Sequence, residues 1–206
     1  MTTQVVGPDE AGVVRSAGCI RDDGVLVYPT ETVYGVGGAA SNPIVCERVR
    51  TLKGGAKNKP MLLLTDEWAR VGDWFAETSD ALQRLMEHHR TLPLTLLVTA
   101  SECAPAPLVG SEGLIGVRRT SNQFCRALIN LGDAPLLSTS ANLAKEPAPA
   151  VFDDISSAIL EGVDLAVDAG CPLTGVPSTI VRAEGTGVLI VREGAADVHK
   201  IHEIVG

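Results

Sequence analysis

Aromatic side chains are scarce in this chain of 206 residues: two Trp, two Tyr and three Phe, 3% of the total. A core so short of rings has to be assembled from Val, Leu, Ile and Ala, the side chains of short buried strands and of the helices laid against them. The five cysteines (Cys19, Cys46, Cys103, Cys125 and Cys171) stand apart, with no Cys-x-x-Cys pair. They leave no disulfide framework and no zinc site to read, so reduced thiols and no protein-ligated metal are expected. There is no run of about 18 apolar residues, and residues 1–20 lack the basic start and apolar stretch of a secretory leader. A membrane partner is therefore not expected, and the cytoplasm is the expected location. Positive charge is also in short supply, with 17 Lys plus Arg against 25 Asp plus Glu and a net charge of −8. That balance argues against a protein whose chief task is to neutralise a nucleic-acid backbone, while leaving room for a local basic pocket. The phosphate-binding pattern GxxxxGK[ST] is missing as well.

What is present is a succession of short apolar runs and amphipathic stretches, with 21 Gly and 12 Pro between them. Residues 8–21 predict a helix behind an acidic start, 24–29 a buried strand halted by proline, and 42–52 a helix with Pro43 in its first turn. Strands are predicted over 60–65, 93–99, 113–118 and 135–140, and helices over 79–89, 122–131 and 153–161. The tail carries apolar runs at 164–168, 178–182 and 188–192, separated by glycines, as in a sheet closed by turns. Strands and helices alternate without strict βαβ order, so the predicted class is α/β (α+β): a twisted mixed sheet flanked by helices. No repeat, low-complexity segment or linker divides the chain.

Four polar clusters close these apolar runs. Pro29-Thr30-Glu31-Thr32-Val33-Tyr34-Gly35 follows the first strand and is trailed by Gly37 and Gly38, which would let a backbone approach a ligand closely. As a lone feature it would suit a polar turn better than a ligand site. Lys53-Gly54-Gly55-Ala56-Lys57-Asn58-Lys59-Pro60 concentrates positive charge on a glycine-rich turn, apt for a triphosphate or for a solvated surface. Ser138-Thr139-Ser140-Ala141-Asn142 offers donors and acceptors to a carboxylate, an amino group or an adenylate, and would also serve as a helix N-cap. Ser178 and Thr179 begin another strand, with Arg192 fourteen residues after Ser178, while Arg118 ends the strand over 113–118. All four clusters could converge on one edge of one sheet.

Taken together and in order, PTETVYG (29–35), KGGAKNKP (53–60), STSAN (138–142), STI (178–180) and Arg192 resemble the YrdC family. The resemblance spans roughly residues 24–198, nearly the whole chain. It implies a YrdC-like sheet around an open concave cavity. It also implies synthesis of L-threonylcarbamoyladenylate and pyrophosphate from L-threonine, bicarbonate and ATP, with Mg²⁺ accompanying the ATP. The product would pass to a threonylcarbamoyl-transferase complex acting on adenosine in tRNA. Carried over position by position, Thr32, Arg118, Ser140 and Ser178 are expected on the threonine side, with Arg118 facing the carboxylate. Lys53, Lys59, Asn142 and Arg192 are expected on ATP, with Lys53 and Lys59 stabilising the charge that builds when a carbamate attacks the α-phosphate. His88, His89, His199 and His202 are expected at the surface, away from the chemistry.

The chain departs from the family pattern in three places. The Arg of the K-x-R segment is replaced by Gly55, which removes a bidentate fork that lysine does not copy. The W-P-G-P usual before the strand over 93–99 appears as Arg90-Thr-Leu-Pro93, and Leu64 stands where a polar residue is common. The missing Arg keeps open a non-synthase relative that binds RNA directly or binds nucleotide. The family's longer form adds a C-terminal domain after a linker. For the present chain, a single YrdC-like domain over 1–206 without that addition is expected.

Overall fold

The computed structural model describes residues 3–54, 61–88 and 92–206. Among these, ten strands form one sheet in the order β1-β8-β2-β3-β7-β4-β6-β5-β9-β10. The strands are β1 (Gln4–Val6), β2 (Leu26–Pro29), β3 (Tyr34–Ala39), β4 (Leu62–Thr65) and β5 (Leu94–Thr99), then β6 (Leu114–Arg119), β7 (Leu136–Ser140), β8 (Leu165–Val167), β9 (Thr179–Glu184) and β10 (Gly187–Arg192). The pairing is mixed: β1/β8, β2/β8, β4/β6 and β5/β9 run parallel, and the remaining neighbours run antiparallel. The helices are α1 (Glu10–Arg21), α2 (Pro43–Leu52), α3 (Asp80–Glu87), α4 (Gln123–Gly132), α5 (Ser157–Glu161) and α6 (Val198–Val205).

Each helix begins where the sequence supplies a capping side chain. Asp9, Asn42, Ser79, Asn122, Ser156 and Asp197 all accept a backbone N–H from the first turn that follows. The mixed α/β class and most of the expected elements are therefore present. Strands β1 and β3 and helix α6 are additional, and the helix expected over 153–161 is a single 3₁₀ turn at Phe152–Asp154 followed by α5.

Because side chains alternate across a strand, each strand contributes to both faces of the sheet. One face is covered over its central strands. Val27, Val36, Leu63, Leu94, Leu96, Val98, Ile115, Val117, Leu137 and Val181 pack there with Val45 and Val49 of α2, Leu82 and Leu85 of α3, Ile159 of α5 and Ile201 and Val205 of α6. The opposite face is covered only in part. Ala17 and Ile20 of α1 and Phe124, Leu128 and Ile129 of α4 lie over Leu26, Tyr28, Leu64, Leu136, Leu165 and Val167. Beyond those two helices the same face is bare, and it carries Leu62, Thr95, Leu97, Leu114, Gly116, Arg118, Ser138, Ser140, Ile180 and Arg182. The fold thus makes its concavity by leaving half of one sheet face without helices.

Candidate functional site

The bare half-face is the floor of a cavity of about 1210 Å³. Thr32, Lys53, Arg118, Ser140, Asn142, Ser178 and Arg192, expected from sequence to act together, all line it. Lys59 lies outside the described residues, as do Gly55, Lys57 and His89.

Register accounts for this convergence. In the ladders Leu62 faces Ser138 and Leu97 faces Gly116, so β7, β4, β6 and β5 present side chains of one parity to the cavity. Arg192 arrives by a different device. The β9/β10 ladder shifts between Ile190, which faces Val181, and Arg192, which faces Ile180. Without that irregularity Arg192 would share the parity of Ile190 and turn toward the covered face; the bulge re-aims it into the cavity.

At one end of the floor, Arg118 is 3% exposed. Its Nη1 donates to Thr32 Oγ1 at 3.3 Å, and its Nε lies 3.4 Å from Glu31 Oε1. Thr32 is held in turn by a turn centred on Thr30, whose hydroxyl accepts from the backbone N–H groups of Thr32 and Val33, lies 3.0 Å from Thr32 Oγ1 and donates to the Val33 carbonyl. Beneath this segment the Cys125 thiol donates to the Pro29 carbonyl at 3.2 Å. Burial pushes that thiol far up, which keeps it a structural donor and not a nucleophile. Across the floor Ser178 Oγ is 2.8 Å from Thr95 Oγ1, and Arg192 Nη2 donates to the Ser178 carbonyl at 2.8 Å. Burial, and after it the nearby charge of Arg118, lowers the pKa of Arg192, so the two guanidiniums feel each other.

Lys53, at the C-cap of α2, donates to the backbone carbonyls of Ser140 and Asn142, both at 2.6 Å, and to Asn142 Oδ1 at 3.0 Å. It therefore ties α2 to the STSAN segment with all three of its protons. Burial brings the Lys53 ammonium down to about 8, against an opposing upward pull from Glu146. STSAN itself ends β7 and enters a turn, so it caps no helix.

The glycines after PTET serve packing more than ligand approach. A Cβ on Gly37 would stand 1.7 Å from the Leu137 carbonyl, and one on Gly38 would stand 2.5 Å from that of Gly24. Only Gly35 of the three lines the cavity.

Among the lining residues not singled out from sequence, four stand out. Arg50 sits one helical turn before Lys53, a spacing that puts both on one side of α2. Thr95 shares the parity of Leu97 and opposes that of the core residues Leu94, Leu96 and Val98. Lys145, in a left-handed backbone conformation at φ 74°, and Arg182 complete the basic set. In a chain of net charge −8, the cavity wall thus holds, among the described residues, Arg50, Lys53, Arg118, Lys145, Arg182 and Arg192 against the single carboxylate of Glu112. Such an arrangement draws in a small, multiply anionic ligand, because low-dielectric walls focus the field of these charges.

The family model Sua5_yciO_yrdC, described as telomere recombination, matches residues 18–194. A threonylcarbamoyl-AMP synthase of Dichelobacter nodosus is 37% identical over 131 residues, covering 62% of this chain and 68% of that protein. A threonylcarbamoyl-AMP synthase of Pyrococcus abyssi is 25% identical over 191 residues, 93% of this chain. The chain spans 56% of the length of that relative and 59% of the Bacillus subtilis one. Among solved structures, Pyrococcus abyssi Sua5 complexed with L-threonine superposes with a TM-score of 0.89 at 24% identity, covering 99% of this chain and 60% of that one. Escherichia coli YciO superposes at 0.83 and 23% identity, covering 95% of this chain and 97% of that one; at such identities both likenesses speak for the fold. With the family model spanning most of the chain and the cavity assembled from the motifs in order, the chain belongs to the Sua5/YciO/YrdC family.

Proposed function

We propose that the chain is a threonylcarbamoyl-AMP synthase, joining L-threonine, bicarbonate and ATP into L-threonylcarbamoyladenylate with release of pyrophosphate. The observation that carries this reading is the meeting of Thr32, Lys53, Arg118, Ser140, Asn142, Ser178 and Arg192, drawn from segments far apart in sequence, around one basic cavity. Relatives named threonylcarbamoyl-AMP synthase support it.

On this reading Arg118 takes the threonine carboxylate, and the hydroxyls of Thr32, Ser140 and Ser178 orient the amino acid. The amino group combines with bicarbonate, with loss of water, to give a carbamate. A carbamate oxygen then attacks the α-phosphorus of ATP, the bond from that phosphorus to the bridging oxygen breaks, and pyrophosphate leaves. Asn142, Arg192 and Lys59 hold the nucleotide, Lys53 acts on it through its charge, and the cations offset the charge that accumulates at phosphorus. Glu112, the one carboxylate among the described lining residues, is already 3.5 Å from Arg182. This donor set suits a Mg²⁺ that arrives on the phosphates, where it supplies further charge neutralisation, and not one held by the protein. The product serves adenosine modification in tRNA through a threonylcarbamoyl-transferase complex in the cytoplasm.

Incubation of the purified chain with ATP, L-threonine and bicarbonate, followed by mass detection, should yield the adenylate only when all three are present. Nucleotide binding without adenylate would instead identify a non-synthase member of the family, and RNA retained without nucleotide would identify a direct RNA binder.

A further inference from the structure

Two carboxylates paired with arginines of the basic cavity differ in standing. Glu112 is at the rim, with its side chain 73% exposed and its partner Arg182 at 41%. Glu31 is off the cavity wall, behind Arg118, and its side chain is 16% exposed. Its Oε1 is the counter-charge to Arg118 Nε at 3.4 Å, and that Nε makes no hydrogen bond among the described residues. Its Oε2 accepts from Thr120 Oγ1 at 2.8 Å, and Thr120 Oγ1 in turn accepts from the backbone N–H of Asn122, the N-cap of α4. A relay therefore runs from the start of α4 through Thr120 and Glu31 to Arg118, whose far side meets Thr32 and the cavity.

Charge balance gives this relay a second consequence. Arg118 at this end and Arg192 across the floor contribute two positive charges that feel each other, and Glu31 offsets one of them. The residual single charge suits one carboxylate; without Glu31 the same end would favour anions of higher charge. We propose that Glu31 is a positioning residue that holds Arg118 in one orientation and sets the charge at this end of the cavity, so that an amino-acid carboxylate is chosen over inorganic oxyanions. This inference deepens the proposed function and rests on its amino-acid site.

The test measures L-threonine binding by calorimetry, with inorganic phosphate as competitor, in the wild type, Glu31→Gln and Glu31→Asp. Glu31→Gln should weaken threonine binding roughly tenfold, the worth of one lost charged contact, while phosphate competes about tenfold better. Glu31→Asp keeps the charge but not the reach, so it should weaken threonine binding while phosphate competition stays at the wild-type level. A carboxylate that only supports the fold would move both ligands together, in step with the melting temperature. That pattern overturns the proposal, as does threonine affinity in Glu31→Gln within about twofold of wild type. If Glu31→Gln does not fold, the split in Glu31→Asp decides. If the wild type takes up no threonine, the functional reading fails, and tighter phosphate binding by Glu31→Gln still decides for or against the charge-setting role.

Discussion

The two faces of the central sheet are written by the same strands and have opposite fates. On β5, Leu94, Leu96 and Val98 are sealed under helices while Thr95 and Leu97 of the other parity look into the cavity. On β6, Ile115 and Val117 are core residues, and Leu114, Gly116 and Arg118 between them form the floor. The covered face secures the sheet through apolar burial, at about 25 cal/mol per Å² removed from water. Freed from that task by α1 and α4 covering only the far strands, the open half-face can carry hydroxyls, the buried Arg118 and less buried cations around it. Stability and ligand binding thus alternate along a single strand, residue by residue.

The sharpest way to break this comparison is to cut the open face at its charged centre. Arg118→Ala should lower threonine affinity by about 3 kcal/mol, roughly a hundredfold, because it removes the cation proposed to take the carboxylate and leaves the half-buried Glu31 without its counter-charge. Calorimetric titration with L-threonine measures it. A neighbouring pair then tests the alternation itself. Leu96 is 2% exposed within the core, so Leu96→Ala should cost about 3 kcal/mol in urea unfolding. Leu97→Ala removes a side chain that already faces the cavity and should cost less than about 1 kcal/mol. Equal costs would mean that the open face is not open.

Much of this architecture was legible from sequence, and the exceptions have physical reasons. Helix starts were readable because Asp9, Asn42, Ser79 and Asn122 are capping residues next to amphipathic runs. Strand β3 was missed because Tyr-Gly-Val-Gly-Gly-Ala looks like a ligand loop. Its glycines are in fact dictated by the Leu137 and Gly24 carbonyls pressing against it, a tertiary constraint with no local sign. Helix α6 carries a local signal as well, with Asp197 as cap and Ile201 and Val205 four residues apart. At the site, Arg118, Ser140 and Ser178 could be named because polar residues at the ends of apolar runs stand out. Which of two adjacent leucines, 96 or 97, is core could not be read, because both are apolar and the answer depends on where α1 and α4 stop. The bulge that turns Arg192 inward was equally hidden, since it needs the pairing register of β9 and β10.

Lys53 sharpens the comparison from the chemical side, through two responses of opposite sign to pH. Its ammonium is brought down to about 8 from the ordinary 10.5, chiefly by burial. Between those two values the unfolded chain binds more protons at this site than the folded one, so the Lys53 contribution to stability rises with pH across that window. Nucleotide affinity should move the other way, because the charge that attracts phosphate is lost as pH passes about 8. A rise in the ATP dissociation constant of roughly tenfold between pH 7 and 9.5 is expected, the worth of one charged contact. Fluorescence titration with an ATP analogue at constant ionic strength checks it. Lys53→Arg, which keeps its charge throughout, should flatten the profile even if its affinity is lower overall.

The smallest expected effect tests the floor itself. Gly116 lies between the core residues Ile115 and Val117, and its backbone is not in the left-handed region. A Cβ added there would meet Thr95 Cγ2 at 3.4 Å, the Met61 carbonyl at 3.5 Å and Leu62 Cα at 3.6 Å, all ordinary contacts. Gly116→Ala should therefore raise stability by about 0.5 kcal/mol, because the unfolded chain loses conformational freedom and the folded one gains no clash. The new methyl group stands on the cavity floor beside Thr95, where a ligand must settle, so affinity for threonine or ATP should fall by about threefold at the same time. A residue added to a sealed face would move packing alone. On the open face the same methyl separates the two quantities, with the protein becoming slightly more stable and slightly worse at binding.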